Sequence, residues 1–186
     1  MEDAYRLGGV GPNGESIKHT HPRTYRSEPT NGGTERLRIG ADGLPVVRAL
    51  LTAMPEPFWI LYLHLVPRTE DASGRYQSTE PWTRDALATF LDEYASLLQS
   101  DGRYDLWIKS VQGPDLLVYD RHEIVFAYGD LKRFRTILAV EGYRVGEVTI
   151  PNPHEHPYRA QNDEAQRRLF AAHDWSYFPL EDSDGP

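Results

Sequence analysis

The sequence predicts an α+β domain, a two-layer sandwich in which a mostly antiparallel sheet of about five strands carries helices mainly on one face. Three observations lead there. Stretches with helical spacing of apolar residues alternate with short runs rich in aromatic and β-branched residues. Residues 116–129, LLVYDRHEIVFAYG, read as two strands folded back on each other. The middle of the chain orders its elements as strand, helix, strands, helix, strand, which is ferredoxin-like in part, with an added strand.

The elements follow in order. Val47, Leu50, Leu51 and Met54 fall on one face of a helix. Pro45 suits its first turn and Pro55 stops it. Residues 58–66, FWILYLHLV, are apolar on both faces, as a central strand requires. Trp59, Leu61 and Leu63 share one side; Phe58, Ile60, Tyr62 and His64 share the other. Residues 67–80 are polar and contain glycine, so they read as a loop. A helix over 83–99 buries Leu87, Phe90, Leu91, Tyr94 and Leu98, and Asp101-Gly102 ends it. Strand 104–110 precedes the hairpin. A two-residue Arg121-His122 turn would set Tyr119 opposite Ile124 and Asp120 opposite Glu123; a longer loop would relieve that like-charge pair. Asp130 caps a helix carrying Leu131, Phe134 and Leu138. Residues 143–150 form the last strand, and Asn162 caps a final helix.

Residues 1–42 hold seven of the fifteen glycines and few large apolar side chains, so they read as a flexible arm. Leu37 and Ile39 alternate as a short strand would, which allows part of the arm to dock. The domain proper is expected over 43–180, with an acidic tail over 181–186. Gly9-Val10-Gly11-Pro12-Asn13-Gly14 matches G-x-G-x-x-G but lacks the strand before it and the helix after it, so it is a loop rather than a dinucleotide site.

Composition excludes several classes. The chain has 186 residues and no cysteine, so disulfides, thiol catalysis and cysteine-ligated zinc are ruled out. A net charge of −8 repels phosphate, so no nucleic-acid partner is expected. The N-terminus does not look like a signal peptide, and the longest apolar run is too short for a membrane helix, so a soluble cytoplasmic protein with no membrane partner is the expectation.

One stretch concentrates the functional question: IPNPHEHPYR, residues 150–159, with His154 and His156 among three prolines. Residues i and i+2 face the same way on a strand but splay on a polyproline helix, so proline stiffness alone does not aim them at one point. A second H-x-H-P, His19-Thr20-His21-Pro22, lies in the arm. The two pairs together would suit zinc or nickel, the natural cofactors for an imidazole set. Two histidines without a third ligand make an incomplete motif, and ordinary loop histidines are the simpler expectation.

Other residues suggest a binding surface. His64 and Tyr62 would line an open concave face if the helices cover the Trp59 side. Arg68, Arg75 and Arg159 carry guanidinium groups able to grip an anion, and Tyr158 adds an aromatic contact. Asp120, Arg121, His122 and Glu123 crowd the hairpin tip, where they read as a solvated turn. Two functions compete. The preferred expectation is a non-enzymatic binding or protein-interaction module, its acidic charge suited to a basic protein partner. The other is a metal-dependent, hydrolase-type enzyme using the His154/His156 pair.

Overall fold

The computed structural model describes residues 5–68, 70 and 72–184. In chain order these form β1 (Gly8–Val10), β2 (Ser16–Lys18), β3 (Thr24–Pro29), β4 (Glu35–Gly40), α1 (Leu44–Leu51), β5 (Phe58–His64), β6 (Gly74–Ser78), α2 (Arg84–Glu93), α3 (Ala95–Ser100), β7 (Tyr104–Ser110), β8 (Leu116–Tyr119), β9 (Ile124–Tyr128), α4 (Leu131–Val140), β10 (Arg144–Val145), β11 (His154–Glu155), α5 (Asp163–Ala172) and β12 (Trp175–Phe178).

The sheet is not the expected one of about five strands in a two-layer sandwich. Nine strands lie in the order β10-β3-β4-β9-β8-β7-β5-β6-β12, and β11-β1-β2 make a second, three-stranded sheet. The large sheet is mixed, because β10 runs parallel to β3 while the other pairs are antiparallel. Two kinds of strand account for the difference. Strands β3 and β4 lie in the segment read as a flexible arm, where Leu37 and Ile39 are fully buried. Strand β6 is short and polar and β12 is a four-residue aromatic run; β6 lies between β5 and β12, with Tyr76 opposite Tyr177. Strand β6 also removes the ferredoxin-like resemblance. It reverses the chain after β5, so β5 and β7 become antiparallel neighbours.

The core lies on one face of the large sheet. Phe58, Ile60, Tyr62, Leu106, Ile108, Leu117, Tyr119, Val125 and Ala127 point into a cluster that also takes the buried residues of all five helices. The helices form where expected. Asp130 accepts from Arg133 N–H at 3.1 Å and caps α4. Thr83 caps α2 in the same way, accepting from Ala86 N–H. The predicted long helix over 83–99 is instead two, broken at Tyr94. Asn162 precedes α5 without capping it; its amide donates to Ser100 Oγ instead.

The helix-covered face is the Tyr62/His64 side, not the Trp59/Leu61 side. The opposite face leaves a groove of about 330 Å³ lined by Trp59, Leu61, Gln77, Trp107, Lys109 and Leu116.

The hairpin takes the longer loop. Tyr119 pairs with Val125 and Leu117 with Ala127, which leaves Arg121-His122-Glu123 as the turn. This register keeps Tyr119 and Val125 both inward. Glu123 sits in the left-handed region at φ 57, the position a three-residue hairpin loop assigns to its last member. Its carboxylate is anchored there by Tyr119 O–H and Gly43 N–H.

The last two residues of the expected acidic tail, and the first four of the arm, lie outside the described residues. No helix is long and apolar enough to cross a membrane among the described residues.

Candidate metal centre

Strand β11 consists of His154 and Glu155, and it exists because β1 supplies a partner. Gly9 lies opposite His154, and Gly8 opposite Glu155. The pairing holds the segment extended and turns His154 and His156 to the same side, their ring centroids 5.3 Å apart.

A third imidazole meets them from the tip of the β8–β9 hairpin. His122 lies 5.2 Å from His154 and 4.9 Å from His156, centroid to centroid. The three rings stand steeply to one another, at 67°, 69° and 79°. One nitrogen from each falls within 4.8 Å of the others. A triangle of that size puts each nitrogen about 2.8 Å from its centre, so small ring rotations reach the ~2.0–2.1 Å of a zinc–nitrogen bond.

Each ring is oriented by its other nitrogen. His122 Nδ1–H donates to Asp120 Oδ2 at 3.0 Å, His154 Nδ1–H to the Pro151 carbonyl at 3.2 Å, and His156 Nδ1–H to the Arg6 carbonyl at 3.2 Å. With Nδ1 engaged in all three, Nε2 is the nitrogen each ring offers. Outward hydrogen bonds of this kind fix tautomer and orientation in histidine metal sites and raise the basicity of the ligand nitrogen.

Burial pushes His156 down to about 4, and the neighbouring His122 and His154 add to the shift. His156 is therefore neutral at pH 7, the state a ligand must have.

No family model, no curated protein and no solved structure matches the chain. The assignment of a site therefore rests on this geometry.

The other expected metal ligands, His19 and His21, stand behind the cluster rather than in it. Their rings pack against each other, with His19 Nε2 3.3 Å from His21 Nδ1. His21 Nε2–H donates to the His122 carbonyl at 2.8 Å. Burial lowers the pKa of both.

The expected binding surface disperses. Tyr62 and His64 are fully buried, because the helices cover their face. His64 takes a hydrogen bond from Gln166 Nε2–H at 3.2 Å and packs against Phe170. Arg75 pairs with Asp184. Arg68 shares Asp163 with the buried Arg103. Arg159 donates to the Ser100 carbonyl at 3.1 Å, and its guanidinium lies over Tyr5. Tyr158 is 40 % exposed. Each of these arginines meets a different protein acceptor.

The sequence reading placed His122 in a solvated turn and not among the metal ligands. The signal is local but small: Asp120-x-His122, in which one aspartate serves both turn and imidazole. Asp120 Oδ1 accepts from His122 N–H and Ile124 N–H, both at 3.0 Å, while Oδ2 holds the ring.

Proposed function

We propose that this protein holds one divalent transition-metal ion, zinc or nickel, on His122, His154 and His156, and that the open coordination position activates water for hydrolysis. The convergence of three imidazoles, each with Nδ1 hydrogen-bonded outward, carries the reading. Three neutral nitrogen ligands are the set that leaves a position for water on a four-coordinate zinc ion. Such an ion lowers the pKa of bound water to about 7 and supplies hydroxide at neutral pH. The all-imidazole donor set suits zinc and nickel and does not suit magnesium or calcium, which prefer oxygen.

The test is metal content. Protein purified without an affinity tag and dialysed against zinc should retain one equivalent per chain, and His122→Ala, His154→Ala and His156→Ala should each abolish stoichiometric retention. A wild-type chain that retains no metal overturns the reading. Cleavage of an activated ester by the zinc-loaded protein, lost in His156→Ala, tests the chemistry; zinc binding with no cleavage of activated esters or phosphoesters withdraws hydrolysis and leaves metal binding.

A second reading, a protein-interaction module, is favoured by the groove of Trp59, Leu61, Trp107 and Leu116 on the uncovered face of the sheet. The acidic net charge adds a preference for a basic protein. A partner that co-purifies reproducibly with the wild type and is lost on Trp107→Glu supports it; co-purification unchanged by that substitution contradicts it.

A further inference from the structure

We infer that the N-terminal segment, which supplies no ligand, sets the geometry of the metal centre from behind, with Arg6 and His21 as its positioning residues and Gly102 as the gap that lets Arg6 reach. The inference rests on the three-histidine reading above.

All three proposed ligands lean on this segment. His156 is oriented by the Arg6 carbonyl. His122 is braced through its own carbonyl, which accepts from His21 Nε2–H at 2.8 Å. A carbonyl only accepts, so the His21 proton sits on Nε2. Nδ1 of the neutral ring then accepts from His19 Nε2–H, and the pair forms a directed chain ending at the ligand's backbone. The third ligand, His154, is held by β1 through the strand pairing opposite Gly9.

Arg6 is an anchored support. Its side chain is fully buried, with the guanidinium 4.4 Å from the ring centroids of both Tyr104 and Tyr119. It donates to the Leu98 carbonyl at 3.2 Å and the Tyr104 carbonyl at 2.6 Å. A main chain pinned in this way presents its carbonyl at a fixed place.

Gly102 shows how tight the arrangement is. A Cβ added there would lie 2.7 Å from His156 Cβ, 2.9 Å from the Arg6 carbonyl oxygen and 3.0 Å from His156 Nδ1. Both members of the orienting hydrogen bond would have to move, and neither atom set is the free end of a flexible chain. Outer partners of metal-bound histidines typically contribute 10–100-fold in metal affinity.

The experiment uses the full chain with Co²⁺ and Zn²⁺ as probes. Gly102→Ala, His21→Leu and His21→Gln are compared with the wild type by the visible spectrum of the cobalt form and by zinc competition against a chromophoric chelator. Gly102→Ala and His21→Leu should bind zinc about 10–100-fold more weakly, with altered cobalt band positions or intensities. His21→Gln, which keeps a donor near the His122 carbonyl, should recover most of the loss. A purely structural role would lower the melting temperature without changing the cobalt spectrum of the bound form. If Gly102→Ala fails to fold, the two His21 variants decide. Wild-type spectrum and affinity in the folded variants overturn the inference. A wild type that takes up neither ion overturns the three-histidine reading instead, and that result is read before any variant is made.

Discussion

Asp120 shows how one side chain builds a turn and orients a proposed ligand together. Its Oδ1 caps the backbone of the hairpin loop, and its Oδ2 takes the Nδ1 proton of His122. Asparagine keeps an oxygen for the cap but replaces the carboxylate oxygen facing the ring. Asp120→Asn should therefore leave the melting temperature within a few degrees and weaken zinc about 10–100-fold; chelator competition and a thermal melt separate the two effects. Arg6 is the opposite case, where loss should be felt throughout the fold. Its charge lies near the buried Glu123 carboxylate, and its donors satisfy two buried carbonyls. Removing one member of a buried charged set strands the others, at a cost of about 3–5 kcal/mol. Arg6→Ala should lose that much in urea unfolding, and a loss under 1 kcal/mol would show that the N-terminal segment is not anchored as described.

Among the elements, β4 tests whether the glycine-rich segment belongs to the core. Leu37 and Ile39 are fully buried beside Val125 and Ala127. Leu37→Ala should cost about 2–5 kcal/mol, as a core truncation does; a surface-like effect in chemical denaturation would return the segment to an arm. The residue that ends α5 gives a pH signature. His173 lies among Trp82, Phe90, Tyr94 and Trp175, and burial lowers its pKa. The unfolded chain then takes up this proton first, so its contribution to stability is present above about pH 6.5 and is lost as pH falls through the depressed value. His173→Gln, metal-free, should lose less stability than the wild type between about pH 7 and 5. Parallel curves from urea titrations at each pH would contradict this. Most helices and the central strands were legible, because their apolar period is local: α4 with Asp130, β5 and β7 are where their residues put them. Strands β6 and β12 were not: β6, with Arg75 and Gln77, carries no apolar alternation, and β12 is a four-residue aromatic run after α5 that becomes a strand only by pairing with β6, which itself lies along β5.

In the whole molecule, the proposed metal centre brings residues 150–157 and the N-terminal segment to the hairpin of 116–128. The histidine pair at 154 and 156 was legible as a motif, but its convergence was not, because the strand that aligns it is 145 residues away at Gly9. His122 was hidden for the same reason: on its own hairpin it is a turn residue, and only the meeting of 120–123 with 150–157 brings it to the other two imidazoles. His19 and His21 were candidate ligands on type and spacing alone, with ordinary loop histidines the simpler expectation; their hydrogen bonds run to each other and to the His122 carbonyl. Because the unfolded chain keeps these segments apart, zinc should stabilise the fold, by about 2.7 kcal/mol at a free concentration 100 times its Kd; unchanged thermal stability under those conditions would contradict a preformed site. The most direct measurement is X-ray absorption at the zinc edge on the zinc-loaded wild type. Three imidazoles at ~2.0–2.1 Å with a single light donor completing four-coordination is the result this geometry predicts; a six-oxygen shell, or a signal with one imidazole or none, would contradict it.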